Sequence, residues 1–457
     1  MIAPDQHIDD LPPSRRAVQV PPQIIAWTVV ILSFICFCGL SAAAARGLYW
    51  FAFDSPVSLT VRLVVSQGNV ILQAPNGEKR GIYDSQLVDP QTMIIVNDNA
   101  QGVLEFLDSY SSQVITTVTL TAGSQLTLQE ASRPRFEVSR HPFLITLNGA
   151  SGQMLISATP GTRAFQMEIN SSVGSAELTS DGTYTVYTDR APNTNGTRLN
   201  VFNQGGEAWL QLPSSQRVKV WPNTIAYAVD GSSMVKANDS PYTLLASGLF
   251  ADQSTLPTTT DVLPDGWQCS TGAVGNEPAG VWQRSAAFEH GALHLWRVGQ
   301  NLSHGETSCL ITPNGPDGLL DTGAYGSLRL HVRFKLIAHD LLTNNLPVQD
   351  VPVCGVQATE CPIMLEIVSS ADPTDPAQTS SWHHGFYAMS DARYKFICDT
   401  CRVAHERVNP DVWYFYDSGD LRQQLTDGGR YIKQISVYAS GHEYDVAIGE
   451  VTLLGGP

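Results

Sequence analysis

Two patterns of apolar residues divide this chain. Residues 24–45, IIAWTVVILSFICFCGLSAAAA, are uncharged and mostly apolar. A helix of that length rises about 33 Å, enough to cross the ~30 Å hydrocarbon core of a bilayer. From Val57 onward the apolar positions recur at every second residue in short runs, broken at roughly 8–12-residue intervals by Gly, Asn, Asp or Pro, the period of half-buried strands. VSLTVRLVVSQG, NVILQA, QTMIIVND, GVLEFLD, QVITTVTLTAG, PFLITLNG, GTYTVYTD and TRLNVFNQ are examples before residue 231. SLRLHVRFKLIA, IMLEIVSS, DVWYFYDS, YIKQISVYAS and YDVAIGEVTLL follow later. The predicted fold is mostly β: a transmembrane helix at 24–45, a β domain at 56–230, a linker at 231–264 and a β-sandwich of jelly-roll type at 265–457.

The flanks of the apolar run set its orientation. Pro21 and Pro22 stop the helix on one side and Arg46 marks the other, with Trp27, Tyr49 and Trp50 where amphipathic rings favour headgroups. Residues 1–23 carry Arg15, Arg16 and several Asp and Pro, too few to bury a core, and read as a short, disordered cytoplasmic tail. The body is then extracytoplasmic on a single-pass protein of the cell membrane. A cleaved signal peptide is the rival reading, since SAAAARG supplies small residues, but the run exceeds the ~7–15 residues of a signal core. Retention as a signal anchor is the expectation.

Composition narrows the partners. A net charge of −16 over 457 residues leaves no basic footprint for nucleic acid. Cys36 and Cys38 lie within the span, whereas Cys269, Cys309, Cys354, Cys361, Cys398 and Cys401 all fall in the last 190 residues. An even number of cysteines in an exported region points to disulfides, and six allow 15 pairings. Local pairing gives Cys269 with Cys309, Cys354 with Cys361, and Cys398 with Cys401. Zinc is the competing chemistry, because His405 follows the C-x-x-C at 398–401, but only that knuckle has ordinary zinc spacing. A redox C-x-x-C would need a βαβ context that this region lacks.

Residues 87–128, LVDPQTMIIVNDNAQGVLEFLDSYSSQVITTVTLTAGSQLTL, resemble the FecR-type exported domain, as do GSAELTSDGTYTVYT and TRLNVFNQGGEAWLQL further on. The resemblance spans about residues 56–230 and rests on strands and turns rather than a catalytic signature. It implies a β module outside the cell. Members that bind a sigma factor do so through a cytoplasmic segment larger than the tail here. The closing RYIKQISVYASGHEYDVAIGEVTLL, with DGWQC and WRVGQN, resembles galactose-binding-like and related carbohydrate-binding jelly rolls.

No G-x-S-x-G, H-E-x-x-H, P-loop or Rossmann fingerprint occurs, so no enzyme is expected. Acid pairs such as Asp417 and Asp420 could enter a glycosidase scheme, yet such pairs are common in any acidic domain. Binding candidates are aromatic. WHHGFY places Trp382, His384 and Tyr387 together, and in WYFY alternation puts Tyr414 and Tyr416 on one face, free to meet a sugar ring, and Trp413 and Phe415 on the other. Packing of all of these in the core is the plainer alternative. His383 and His384 read as loop donors rather than metal ligands. No cofactor is expected, and structural calcium is left open at the Asp372–Pro376 loop. The expected function is a membrane-anchored extracellular binding or sensor protein whose distal domain takes a ligand, a polysaccharide or a surface protein. Envelope signalling through a partner, using small residues of the span such as Gly39 and Ser41, and a purely structural role are the alternatives.

Overall fold

Period-two alternation carries most of the described residues into strands, and uninterrupted hydrophobicity makes the one long helix among them. The computed structural model describes residues 21–161, 163–190, 196–213, 216–231, 236–238, 243–245, 259–260, 263–264, 266–273, 278–285, 288, 291–298, 305–313, 318–340, 361–374, 379–388, 405–441 and 443–456. The predicted tail falls almost wholly outside these residues, as does much of the 231–264 linker. The chain forms two compact units, one of residues 1–56 with 134–140, the other of 57–133 with 141–457.

In the first unit the helix runs over Pro22–Tyr49 and tightens into a π-helical turn, Trp50–Asp54, closed by the Ser55 amide donating to the Trp50 carbonyl. None of its residues is buried, and it is long and apolar enough to cross a membrane.

The second unit begins with two facing sheets. One has the order Arg217–Val220, Ala208–Gln211, Ser175–Leu178, Phe165–Asn170, Phe143–Ser151, Gln125–Pro134, Met93–Val96, Val70–Gln73, Lys79–Ile82. The other runs Lys236–Asn238, Thr224–Val229, Thr197–Gly205, Gly182–Arg190, Gln153–Ala158, Val114–Leu120, Gln101–Leu107, Thr60–Gln67, Ser85–Leu87. The chain shuttles between them, which is why Phe143–Ser151 and Phe165–Asn170 pair in parallel: the strand joining them lies in the opposite sheet. Inward residues such as Leu63, Leu104, Phe106, Ile145, Met154 and Val186 fill the space between.

Residues from Thr243 onward build a second sandwich. Its third sheet holds Thr259–Thr260, Val281–Ser285, Ala292–Arg297, Glu443–Gly456, Ser327–Asp340 and the edge strand Trp413–Asp417. The fourth holds Trp267–Ala273, Gly305–Ile311, Tyr431–Gly441, Ile363–Ser370, Thr379–Tyr387 and Glu406–Arg407. Trp267–Ala273 and Gly305–Ile311 pair with Cys269 directly opposite Cys309, and the two are disulfide-bonded as expected. Cys361 is also disulfide-bonded. Cys354, Cys398 and Cys401, and with them the two other expected pairings, lie outside the described residues.

The two sandwiches meet through outward faces of the second and third sheets. Gln101 is buried, its Nε2 donating to the Phe415 carbonyl at 2.6 Å and its Oε1 accepting from the Phe415 amide at 2.8 Å. Trp413–Asp417 ends its sheet, so one side-chain amide supplies the ladder bonds that an edge residue would otherwise lack. Asn409 adds a side-chain bond to the Val65 carbonyl at 2.8 Å and a backbone bond to that of Ser66 at 2.9 Å. Gln204 donates to Glu450 at 2.8 Å, and Phe202, Ile225 and Leu454 form an apolar contact beside it. Burying side chains of that size contributes roughly 1.5–3 kcal/mol each.

Candidate functional site: a polar cleft between the sandwiches

The aromatic residues singled out in the sequence do come together, but in the core. Trp382, His384, Tyr387, Tyr414 and Tyr416 are 2–7% exposed. His384 stacks on Tyr416 at 4.5 Å between ring centres and on Trp382 at 5.9 Å, and Phe386 sits edge-on to both His384 and Tyr416. Trp382 Nε1 donates to Gln424 at 2.7 Å. Glu406 lies 3.1 Å from His384 Nε2 and accepts from the Tyr414 hydroxyl at 2.7 Å. Burial alone would raise the Glu406 carboxyl, but those two contacts hold it below its ordinary range. Burial and then the Glu406 charge push Tyr414 well up. Alternation in WYFY is as the sequence suggests. What it does not reveal is that both faces are covered, Tyr414 and Tyr416 by the fourth sheet and Phe415 by the first sandwich, so this strand packs rather than forming an open platform.

The histidines correct the expectation of loop donors. Both belong to the strand Thr379–Tyr387, and the pleat sends them to opposite faces, His384 inward and His383 out to Glu366 at 3.2 Å. In the Asp372–Pro376 loop, Asp372 accepts from both the amide and hydroxyl of Thr374, while Asp375 and Pro376 lie outside the described residues. Among the described residues no three His, Cys, Asp or Glu side chains converge as metal ligands.

A different place gathers chemistry. Between the sandwiches lies a cleft of about 460 Å³, within the ~300–1,000 Å³ typical of small-molecule sites. The second sheet supplies outward residues of three neighbouring strands: Gln153; Thr185, Tyr187 and Asp189; Arg198 and Asn200. Tyr227 closes that side, and Arg329, His331 and Asp417 come from the third sheet. Arg198 clamps Asp189 bidentately, at 2.9 and 2.5 Å, with its guanidinium 5.2 Å from the Tyr227 ring centre. Asn200 also donates to Asp189.

Opposite, Asp417 accepts from Arg329 at 2.8 Å and from the Gly419 amide at 2.9 Å. His331 Nε2 lies 3.3 Å away, within ion-pair reach but outside hydrogen-bond geometry. Burial would raise the Asp417 carboxyl, yet His331, Arg329 and the amide together hold it far below its usual range. Two buried groups on the cleft wall remain unmatched: Thr185 Oγ1 and both ring nitrogens of His331 have no hydrogen-bond partner. Native structures leave few such groups, so the two are polar positions at which a ligand in the cleft could bond.

Sequence reasoning missed this cleft, apart from setting aside Asp417 as one of many acids. Its residues sit at the outward positions of TYTVYTDR, RLNVFN and SLRLHVRF, where polar side chains ordinarily mean a solvated face.

Fold and cleft together define the class: a two-sandwich β protein behind an apolar helix, with a polar, aromatic recess between the sandwiches. No family model matches the chain, and no curated protein does. Among solved structures, a candidate anti-sigma factor from Parabacteroides distasonis ATCC 8503 is 14% identical with a TM-score of 0.23, over 35% of this chain and 62% of that one. The family 11 carbohydrate-binding module from Clostridium thermocellum, in complex with a β-1,3-1,4-mixed-linked tetrasaccharide, is 8% identical with a TM-score of 0.21, over 45% and 93%. An exo-β-agarase is 12% identical with a TM-score of 0.22, over 43% and 24%. Likenesses this slight assign neither a family nor a function.

Proposed function

We propose that the protein is a membrane-anchored, extracytoplasmic binding protein whose inter-sandwich cleft takes a polar, ring-bearing ligand of the saccharide class. The cleft's unmatched Thr185 hydroxyl and His331 ring, set among Tyr187, Tyr227 and two arginine-held carboxylates, carry this reading. Sugars offer an apolar ring face for aromatic walls and hydroxyls that both donate and accept. Asp189 and Asp417 supply acceptors, while Arg198, Arg329, Asn200 and Gln153 supply donors. A carboxylate held far below its usual range by its Arg329, His331 and Gly419 neighbours accepts hydrogen bonds rather than delivering protons, which favours binding over acid–base catalysis. Anchoring rests on the apolar helix, and the exported setting on the Cys269–Cys309 disulfide.

The test is a glycan array probed with the full-length, detergent-solubilised protein, followed by titration of any hit. Tyr227→Ala and Asp417→Asn should each weaken binding by about 10-fold or more, the size of one lost charged hydrogen bond or stacking contact. Absence of any glycan ligand, or a hit indifferent to both substitutions, overturns the proposal.

A further inference from the structure

The first unit joins the end of the apolar helix to a distant segment, Pro134–Arg140. The Arg135 amide donates to the Ser55 carbonyl at 3.0 Å, and its guanidinium reaches the Ser55 hydroxyl and lies 5.3 Å from the Phe51 ring centre. Phe136 packs edge-on against Phe51 at 5.4 Å, and the Ser139 hydroxyl donates to the Phe53 carbonyl at 2.5 Å. Five bonds and ring contacts thus fasten a short loop to the π-helical turn. What the loop presents is unusual for a water-facing surface: Phe136 is 39% and Val138 62% exposed, beside Tyr49, Trp50 and Phe51 at 46–60%.

We infer that this cluster is a second membrane contact, with Phe136 and Val138 seated in the headgroup layer, and Arg46, Arg135 and Arg140 facing lipid phosphates. The inference rests on the proposed anchoring. Helix length sets the depth. Residues 24–45 fill the hydrocarbon core, so in an upright helix Phe51, six residues past Ala45, stands about 9 Å beyond it at ~1.5 Å per residue, just outside a headgroup layer ~5–7 Å deep. A tilt of about 30°, inside the ~0–40° range of spanning helices, brings it and the attached loop into the outer part of that layer. The chemistry also matches: aromatic rings and arginines are the side chains that combine an apolar body with a polar tip, and they favour this interface. Glu137 and Asp54 are the acids of the cluster, so its charge is a small net positive and apolar contact is the larger contribution. The occupant is therefore the bilayer into which the helix leads.

The experiment places a bimane fluorophore at Val138→Cys in full-length protein carrying Cys36→Ala and Cys38→Ala, reconstituted in phosphatidylethanolamine–phosphatidylglycerol vesicles with or without brominated phospholipid. Protein with only the two alanine substitutions serves as the labelling blank. Val138 is mostly exposed, so label and cysteine displace little packing. The native Cys36, kept with Cys38→Ala, reports the span itself, and Tyr83→Cys, 70% exposed, reports an aqueous surface. Brominated lipid should quench position 138 measurably but less than position 36, as expected for a group in the headgroup layer, and leave position 83 unchanged. Quenching at position 36 with none at 138 refutes the second contact and leaves the anchor intact. No quenching at either position removes the anchor and this inference with it.

Discussion

Replacing Gln101 with leucine should loosen the joint between the two sandwiches more than any other single change at that interface. The side chain fills nearly the same volume but can neither donate nor accept, so the Phe415 amide and carbonyl lose partners now at 2.8 and 2.6 Å. Both Gln101 and Phe415 are buried, at 4% and 2% exposure, leaving water no easy access. An orphaned buried polar group costs about 1–3 kcal/mol, which brackets the pair at about 2–6 kcal/mol. Partial relaxation of an edge strand puts the expected loss near 3 kcal/mol. Ser66 keeps one acceptor, the Gln101 carbonyl, and adds little. Urea unfolding of the full-length protein in detergent, followed by tryptophan fluorescence, measures this as a midpoint lowered on the order of 1 M. Gln86→Leu, on an exposed strand position, is the control. Equal midpoints for the two variants would show that the reciprocal amide bonds do not hold the sandwiches together.

Three further outcomes follow from the same geometry. Serine at both Cys269 and Cys309 opens a loop with a sequence separation of 40, which chain entropy values at about 4 kcal/mol; reductant should lower the wild-type unfolding midpoint by more than the variant's, which keeps the Cys361 disulfide. Asp417, Glu366 and Glu406 have folded values depressed below ordinary carboxyls. Their stabilisation is therefore complete above the unfolded values near about 4 and disappears as pH falls through the folded ones, so Asp417→Asn should flatten the acid limb of a stability–pH curve. Tyr414, Tyr416 and Tyr438 are raised, chiefly by burial; their contribution is complete below about pH 10 and lost as pH rises beyond it, visible as alkaline unfolding coincident with phenolate absorbance.

Most strands were legible because a two-layer β-sandwich writes its inward positions as every second residue. Leu63 and Val65, Leu328, Leu330 and Val332, and Val446 and Ile448 all point inward as their spacing requires. Trp267–Ala273 and Gly305–Ile311 escaped notice because WQCSTGA and GETSCLI place Ser, Thr and Gly where a strand usually shows Val or Ile. Their cysteines were paired correctly nonetheless, since short-range pairing and strand pairing lead to the same partner. The candidate site was illegible for a different reason. A polar outward position carries the same local pattern whether it meets water or another sheet, and only the stacking of two sandwiches brings Thr185 on one side and His331 and Asp417 on the other into one cleft.

That stacking makes binding and the Gln101 joint interdependent. On Ser327–Asp340 the outward positions are Arg329, His331, Arg333 and Lys335. The first two line the large cleft, and the last two line a separate one of about 300 Å³ with Trp413 and Asp411. Phe415, held by Gln101, pairs with Arg333, and Asp417, two residues on, pairs with His331. Slackening the bonds at Phe415 therefore acts on the strand that positions Asp417 against Arg329 and His331. A ligand that needs that carboxylate in place should bind Gln101→Leu several-fold more weakly, although Gln101 does not line the cleft, because only the fraction of molecules with the strand seated is competent. Isothermal titration of wild type, Gln101→Leu, Asp417→Asn and the double variant tests this. Coupling predicts that the Gln101 effect shrinks once Asp417 is replaced; equal Gln101 effects in both backgrounds would mean that the joint and the cleft act independently.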